Sequence, residues 1–220
     1  MECIINDLPI YYEEYGEGKP VLCLHRFTED HRMMKGCLEP FFAGTKGYRR
    51  IYLDMPGMGK TPAIDWIKNA DIMLDILKKF VAEAIGDEEF LLIAASYGVY
   101  VSLGMVYVGG MNISGMFLFN PCTVADSKKR RLPEGAKIFK EDCLEEFIDG
   151  EGVENSNYFF EDAVVQTRET WIRFKTDILP AYQLADYDFC ENYRKNGYSF
   201  TFDSGPAILK TNHNNYGTTG

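Results

Sequence analysis

The segment Phe90-Leu91-Leu92-Ile93-Ala94-Ala95-Ser96-Tyr97-Gly98-Val99-Tyr100 constrains the fold more than any other stretch of this chain. An apolar run stops at a serine, a glycine stands two residues later, and a second apolar stretch runs on to Val108. The pattern leaves no room for a loop. It predicts a strand that turns directly into a helix, with Ser96 on the turn and its hydroxyl pushed towards solvent, the setting in which a serine becomes a nucleophile.

Strand-like and helix-like segments alternate around it. Ile4-Ile5 and Ile10-Tyr11-Tyr12 read as a hairpin about Asn6-Asp7. Pro20 to His25 and Arg50 to Asp54 are short apolar runs of the kind buried on both faces. Met73, Ile76, Leu77, Phe80, Val81 and Ala84 recur at helical spacing, with Asn69 or Asp71 at the start and Gly86 after the end. Phe90 to Ile93 is a strand, Val99 to Val108 a helix, and Ile113 to Phe119 a strand ending at Asn120-Pro121. Such alternation predicts an α/β fold: a mostly parallel sheet with helices on both faces. Ligands bind such sheets at the carboxyl ends of the strands, and His25, Asp54, Ser96 and Asn120 all fall at such ends.

Residues 122–197 change character. They are charged, aromatic and helical, at Leu144 to Phe147, Val164 to Leu179 and Tyr182 to Tyr193. This predicts three parts: a core over 1–121, a helical lid insertion over 122–197, and a remnant of the C-terminal core strand with a polar tail over 198–220. The aromatics Tyr158, Phe159, Phe160, Trp171 and Phe174 belong mainly to lid packing, with a pocket lining as the other reading.

The net charge is -10, which disfavours nucleic-acid partners, and Lys128-Lys129-Arg130-Arg131 reads as a solvated loop. No signal peptide and no membrane span are visible, so no membrane partner is expected. The six cysteines form no C-x-x-C pair and there are only three histidines, so neither a metal nor a cofactor is expected. Reduced thiols point to a cytoplasmic protein. Gly57-Met58-Gly59-Lys60-Thr61 ends like a phosphate-binding loop, but Asp54 stands where its first glycine belongs and Pro62 where a helix should begin. The sequon Asn112-Ile113-Ser114 opens the strand predicted from Ile113.

Four pieces, in order, carry a family resemblance. Leu24-His25-Arg26-Phe27 is similar to a His-Gly-x oxyanion loop. Asp54-Met55-Pro56-Gly57-Met58-Gly59-Lys60-Thr61 is similar to a D-x-P-G-x-G-x-S loop. Ala94-Ala95-Ser96-Tyr97-Gly98 is similar to a G-x-S-x-G nucleophile elbow, and residues 122–197 to a helical lid. The whole pattern resembles the α/β-hydrolase superfamily, in the branch of small esterases, proline-iminopeptidase-like enzymes and C–C bond hydrolases. The resemblance implies Ser96 as nucleophile, the Phe27 and Tyr97 amides as the oxyanion hole, His25 and Asp54 as supporting residues, and a small-molecule acyl substrate.

The chain also departs from that pattern. Ala94 and Val99 stand where the family has glycines. Arg26 replaces the glycine of His-Gly, which predicts a damaged oxyanion loop, or else a contact to an anionic substrate. The family's acid position falls near Asn214 and Asn215, and the sequence ends at Gly220 before a final strand, histidine loop and closing helix. His213 as base, with Asp126 or Asp203 as acid, is the weaker rescue. The expectation is a serine hydrolase for small carboxylic esters, amides or related acyl compounds, impaired for want of its His and acid. The alternative is an inactive hydrolase-derived fragment or binding protein. An unpaired edge at Pro206 to Leu209 would favour a homodimer.

Overall fold

Asn6 and Asp7 adopt φ of 50° and 64°, the left-handed pair that a two-residue hairpin turn requires, and short polar side chains tolerate it. They join β1 (Glu2–Ile5) to β2 (Leu8–Tyr15), as the sequence predicts. The structure is a computed structural model that describes residues 1–203 except 132–134, 136, 152 and 155. The strand, histidine and dimer edge expected within 204–220 therefore lie outside the described residues.

The sheet continues through β3 (Gly18–Leu24), β4 (Gly47–Leu53), β5 (Phe90–Ser96) and β6 (Ile113–Pro121), in the order β1-β2-β4-β3-β5-β6. The first two pairings are antiparallel and the other three parallel. The register sets Cys23 beside Tyr52 and Leu24 beside Ala94, so β4, β3 and β5 end together. His25, Asp54 and Ser96 emerge along one carboxyl edge.

Strand periodicity divides β3 between two layers. Leu22 and Leu24 join the larger core with Met73, Leu77 and Phe80 of α2 (Ala70–Ala84) and with Val99 and Val101 of α3 (Tyr97–Val108). Val21 and Cys23 join a smaller cluster with Met33, Met34 and Leu38 of α1 (His31–Phe42). Helices thus cover both faces. Fully burying one of the Leu or Phe side chains contributes about 1.5–3 kcal/mol. The Asn69 side chain caps α2 by accepting from the Ile72 amide, and Asp30 caps α1 through the Arg32 amide. Among the described residues no helix is long and apolar enough to cross a membrane.

Residues beyond β6 form a second set of helices: α4 (Leu144–Glu151), α5 (Asn157–Asp162), α6 (Arg168–Arg173), α7 (Leu179–Leu184) and α8 (Tyr187–Asn196). A π-helical stretch, Phe174–Ile178, links α6 to α7. The helix expected from Val164 begins later. Val165–Gln166 pairs in parallel with Phe139–Lys140, and Thr167 caps α6 in a reciprocal arrangement with Thr170. Leu144, Ile148, Phe159, Trp171, Phe174 and Leu179 make a third apolar cluster. That accounts for most of the aromatics singled out in the sequence, while Tyr158 stays 39% exposed.

Helix α8 is fastened to the edge of the sheet. The Asp186 amide donates to the Gly57 carbonyl at 3.0 Å, the Ala70 amide to the Gly197 carbonyl at 2.7 Å, and the Tyr97 and Tyr193 hydroxyls pair at 2.7 Å.

Candidate active site

Ser96 takes φ 49° and ψ -114° where β5 becomes α3, with no loop between them. A non-glycine residue there costs about 1–3 kcal/mol and persists only where the surroundings impose it. Gly98 is part of that surrounding. A Cβ at 98 would stand 2.5 Å from the Leu24 carbonyl oxygen and 2.8 Å from that of His25, so the first turn of α3 lies against the end of β3. The Tyr97 amide begins α3, where helix N–H groups have no intrahelical partner. The Phe27 ring meets the Tyr97 ring edge-on, with centroids 5.3 Å apart. Ser96, Tyr97 and Phe27 are therefore brought together.

The loop after β3 is held by its own polar groups. His25 is buried; its Nδ1 donates to the Arg26 carbonyl at 2.6 Å and its Nε2 accepts from the Met55 amide at 2.9 Å. Burial lowers its pKa, against the pull of Asp54. A ring committed at both nitrogens positions two loops and is not available to take a proton from Ser96. Asp54 is also buried. Its Oδ1 accepts from the His31 amide at 2.7 Å and from His31 Nδ1 at 2.8 Å, and its Oδ2 from the Lys60 amide at 2.9 Å. His31 Nε2 faces Glu13 Oε1 at 3.1 Å. Asp30, His31 and Asp54 place ligand-type atoms within 4.8 Å of one another, but these are spent on each other and on Arg32. The Lys60 amide, turned to Asp54, faces a carboxylate where a phosphate-binding loop would face a phosphate.

The predicted damage at Arg26 is not found. Arg26 is absent from the positive-φ positions; the left-handed residue of the loop is Thr28, at φ 68°. The turn thus makes no demand for glycine at position 26. The guanidinium instead reaches Glu29 Oε1 with Nη1 at 3.0 Å and lies 3.8 Å from Asp162 on α5. Glu29 is fully buried. Its carboxylate is close to the guanidinium, but neither of its oxygens is met at hydrogen-bonding angles, and the Arg26 Nε is likewise unpaired. Burial pushes the Glu29 carboxyl up to about 7, with the Arg26 charge opposing.

A cleft of about 1040 Å³ opens over this edge. Its lining includes Arg26, Phe27, Thr28 and Ser96 with Asp162 and Tyr182, together with residues 125–130 and 194–199.

No protein-family model matches the sequence. Among solved structures, an alpha/beta superfamily hydrolase from Oenococcus oeni PSU-1 is 31% identical, with 88% of this chain aligned to 70% of that one and a TM-score of 0.77. The chain belongs to the α/β-hydrolase superfamily. Two more distant likenesses support the fold alone. An esterase from Exiguobacterium antarcticum is 16% identical over 88% of this chain and 71% of its own length, with a TM-score of 0.61. A malate-bound thermophilic esterase from Thermogutta terrifontis is 21% identical over 91% and 72%, with a TM-score of 0.56.

The remaining site candidates are placed as follows. Asp126 borders the cleft and is held as the cap of a 3-10 turn, its Oδ1 accepting from the Lys128 amide at 3.0 Å; that bond lowers its pKa. Asp203 borders the cleft too and accepts from the Tyr100 hydroxyl at 2.7 Å. His213 lies outside the described residues. His31, Glu29 and Arg194 carry no sequence signal that marks them. His31 follows His25 by six positions, and only folding sets it between Asp54 and Glu13.

Proposed function

We propose that the chain is a serine hydrolase acting on small carboxylic esters, amides or related acyl compounds, with Ser96 as nucleophile. The observation that carries this reading is the left-handed Ser96 at the head of α3, facing the cleft. Its hydroxyl would attack the acyl carbon while passing its proton to a base, for which His213 is the candidate, and that proton would leave with the expelled alcohol or amine before water releases the acid. The Tyr97 and Phe27 amides would hold the negative charge that develops on the carbonyl oxygen, an interaction worth about 3–4 kcal/mol per donor in such sites. His25 and Asp54 position these loops and do not act on substrate. The second set of helices serves as a lid that shapes the acyl pocket.

One observation favours a second reading. Both described histidines are committed elsewhere, His25 to Met55 and Arg26, and His31 to Asp54 and Glu13. A serine without a base is a weak nucleophile. On this reading the chain is a catalytically inactive hydrolase-derived fragment or binding protein.

Reaction with a fluorophosphonate probe separates the two. Labelling of Ser96 that disappears in Ser96→Ala, with p-nitrophenyl acetate turnover above that variant, supports the enzyme. Absence of both in folded protein supports the binding protein.

A further inference from the structure

The chain carries a net charge of -10, yet cations gather around its cleft: Arg26, Lys128, Lys129, Arg130, Arg194 and Lys195. Its carboxylates are engaged. Asp126 pairs with Lys129 at 3.4 Å, Asp162 accepts from the Tyr182 hydroxyl at 2.5 Å, and Asp203 from Tyr100. Besides Lys129, two of the cations are engaged as well. Arg26 is held by Glu29, and Arg130 donates to the carbonyls of Val124 at 2.7 Å and Ala125 at 2.9 Å. For Lys128, Arg194 and Lys195, no carboxylate lies within ion-pair distance among the described residues.

Arg194 is the best placed of the three. Its guanidinium carbon sits over the Phe27 ring, 5.0 Å from the centroid, so the cation lies against the residue whose amide faces the proposed oxyanion. A cation–π contact consumes none of the N–H donors, and a guanidinium fork matches an anion bidentately. A concave, cation-walled site also focuses the field and raises the local concentration of anions.

We infer that the cleft takes acyl substrates bearing a second, anionic group, a carboxylate or a phosphate, seated on Arg194 with Lys128 and Lys195 nearby. This rests on the reading of Ser96 as nucleophile, but the anion site itself is testable by binding alone. In the Ser96→Ala protein, monomethyl glutarate and 2-acetoxyethyl phosphate are titrated beside methyl valerate, the neutral counterpart of the first. One charged hydrogen-bonded contact is expected to make at least one anionic ester bind about tenfold more tightly than methyl valerate. The tighter of the two identifies the anion. The advantage shrinks at about 0.5 M NaCl, where the Debye length is a few ångströms. It is lost in Arg194→Gln and partly kept in Arg194→Lys. Equal binding of all three esters overturns the inference, as does an advantage that survives Arg194→Gln. Anion preference in a protein whose Ser96 resists the fluorophosphonate leaves the anion site standing and removes the nucleophile.

Discussion

At the scale of single residues, the site depends on close approach more than on reactive groups. Ser96 tolerates a left-handed backbone because Gly98, two positions on, lets α3 press against the carbonyls of Leu24 and His25. A methyl group there meets backbone atoms that cannot rotate away. Gly98→Ala is therefore expected to cost about 1–3 kcal/mol, the usual range for overpacking a close contact, and to displace the Tyr97 amide. Urea unfolding measures the first effect and the rate of fluorophosphonate labelling the second. An unchanged midpoint would show that the two elements can separate without penalty. Arg26 gives the opposite lesson. Replacing a family glycine looked damaging, but the backbone strain of that loop falls on Thr28, and the arginine is accommodated by Glu29 and Asp162.

At the scale of elements, α8 connects the second set of helices to the sheet edge. Its anchor points are the Gly57 carbonyl, the Gly197 carbonyl and the paired hydroxyls of Tyr97 and Tyr193. Both tyrosines are buried, so removing one hydroxyl leaves the other without its partner. Tyr193→Phe is expected to lose about 1–3 kcal/mol of stability, because an unsatisfied buried hydroxyl costs its full desolvation. Equilibrium denaturation of the variant checks this, and a loss near zero would mean that α8 is held by Gly57 and apolar contact alone. The boundaries of these helices were only partly legible in the sequence. The 3.6-residue spacing of α2 and its Asn69 cap are local signals, and they survive folding unchanged. The start of α6 was hidden, because the pairing of Val165–Gln166 with Phe139–Lys140 joins segments far apart in the chain.

At the scale of the whole molecule, Glu29 makes stability depend on pH. Its carboxyl has an ordinary value of 4.5 and is raised to about 7 in the fold, mainly by burial. Between those values the folded chain keeps a proton that the unfolded chain has released. Stability therefore falls as pH rises from 4.5 to about 7, by about 3 kcal/mol at most, and is flat in this respect above. In Glu29→Gln the slope in that window is expected to flatten, as read from denaturation midpoints across pH 4.5–8. A slope equal to that of the parent would show that Arg26 keeps Glu29 ionised. The sequence by itself determined the alternation of strand and helix, the hairpin at Asn6-Asp7, and the turn at Ser96 with its glycine, because each is written in residues only a few positions apart. Tertiary structure alone decided the strand order, the commitment of His25 and His31 to partners other than Ser96, and the gathering of Arg26, Lys128 and Arg194 around one cleft. Those groups come from distant parts of the chain. Their chemistry depends on burial and on which charges they face, and neither exists until the sheet has formed.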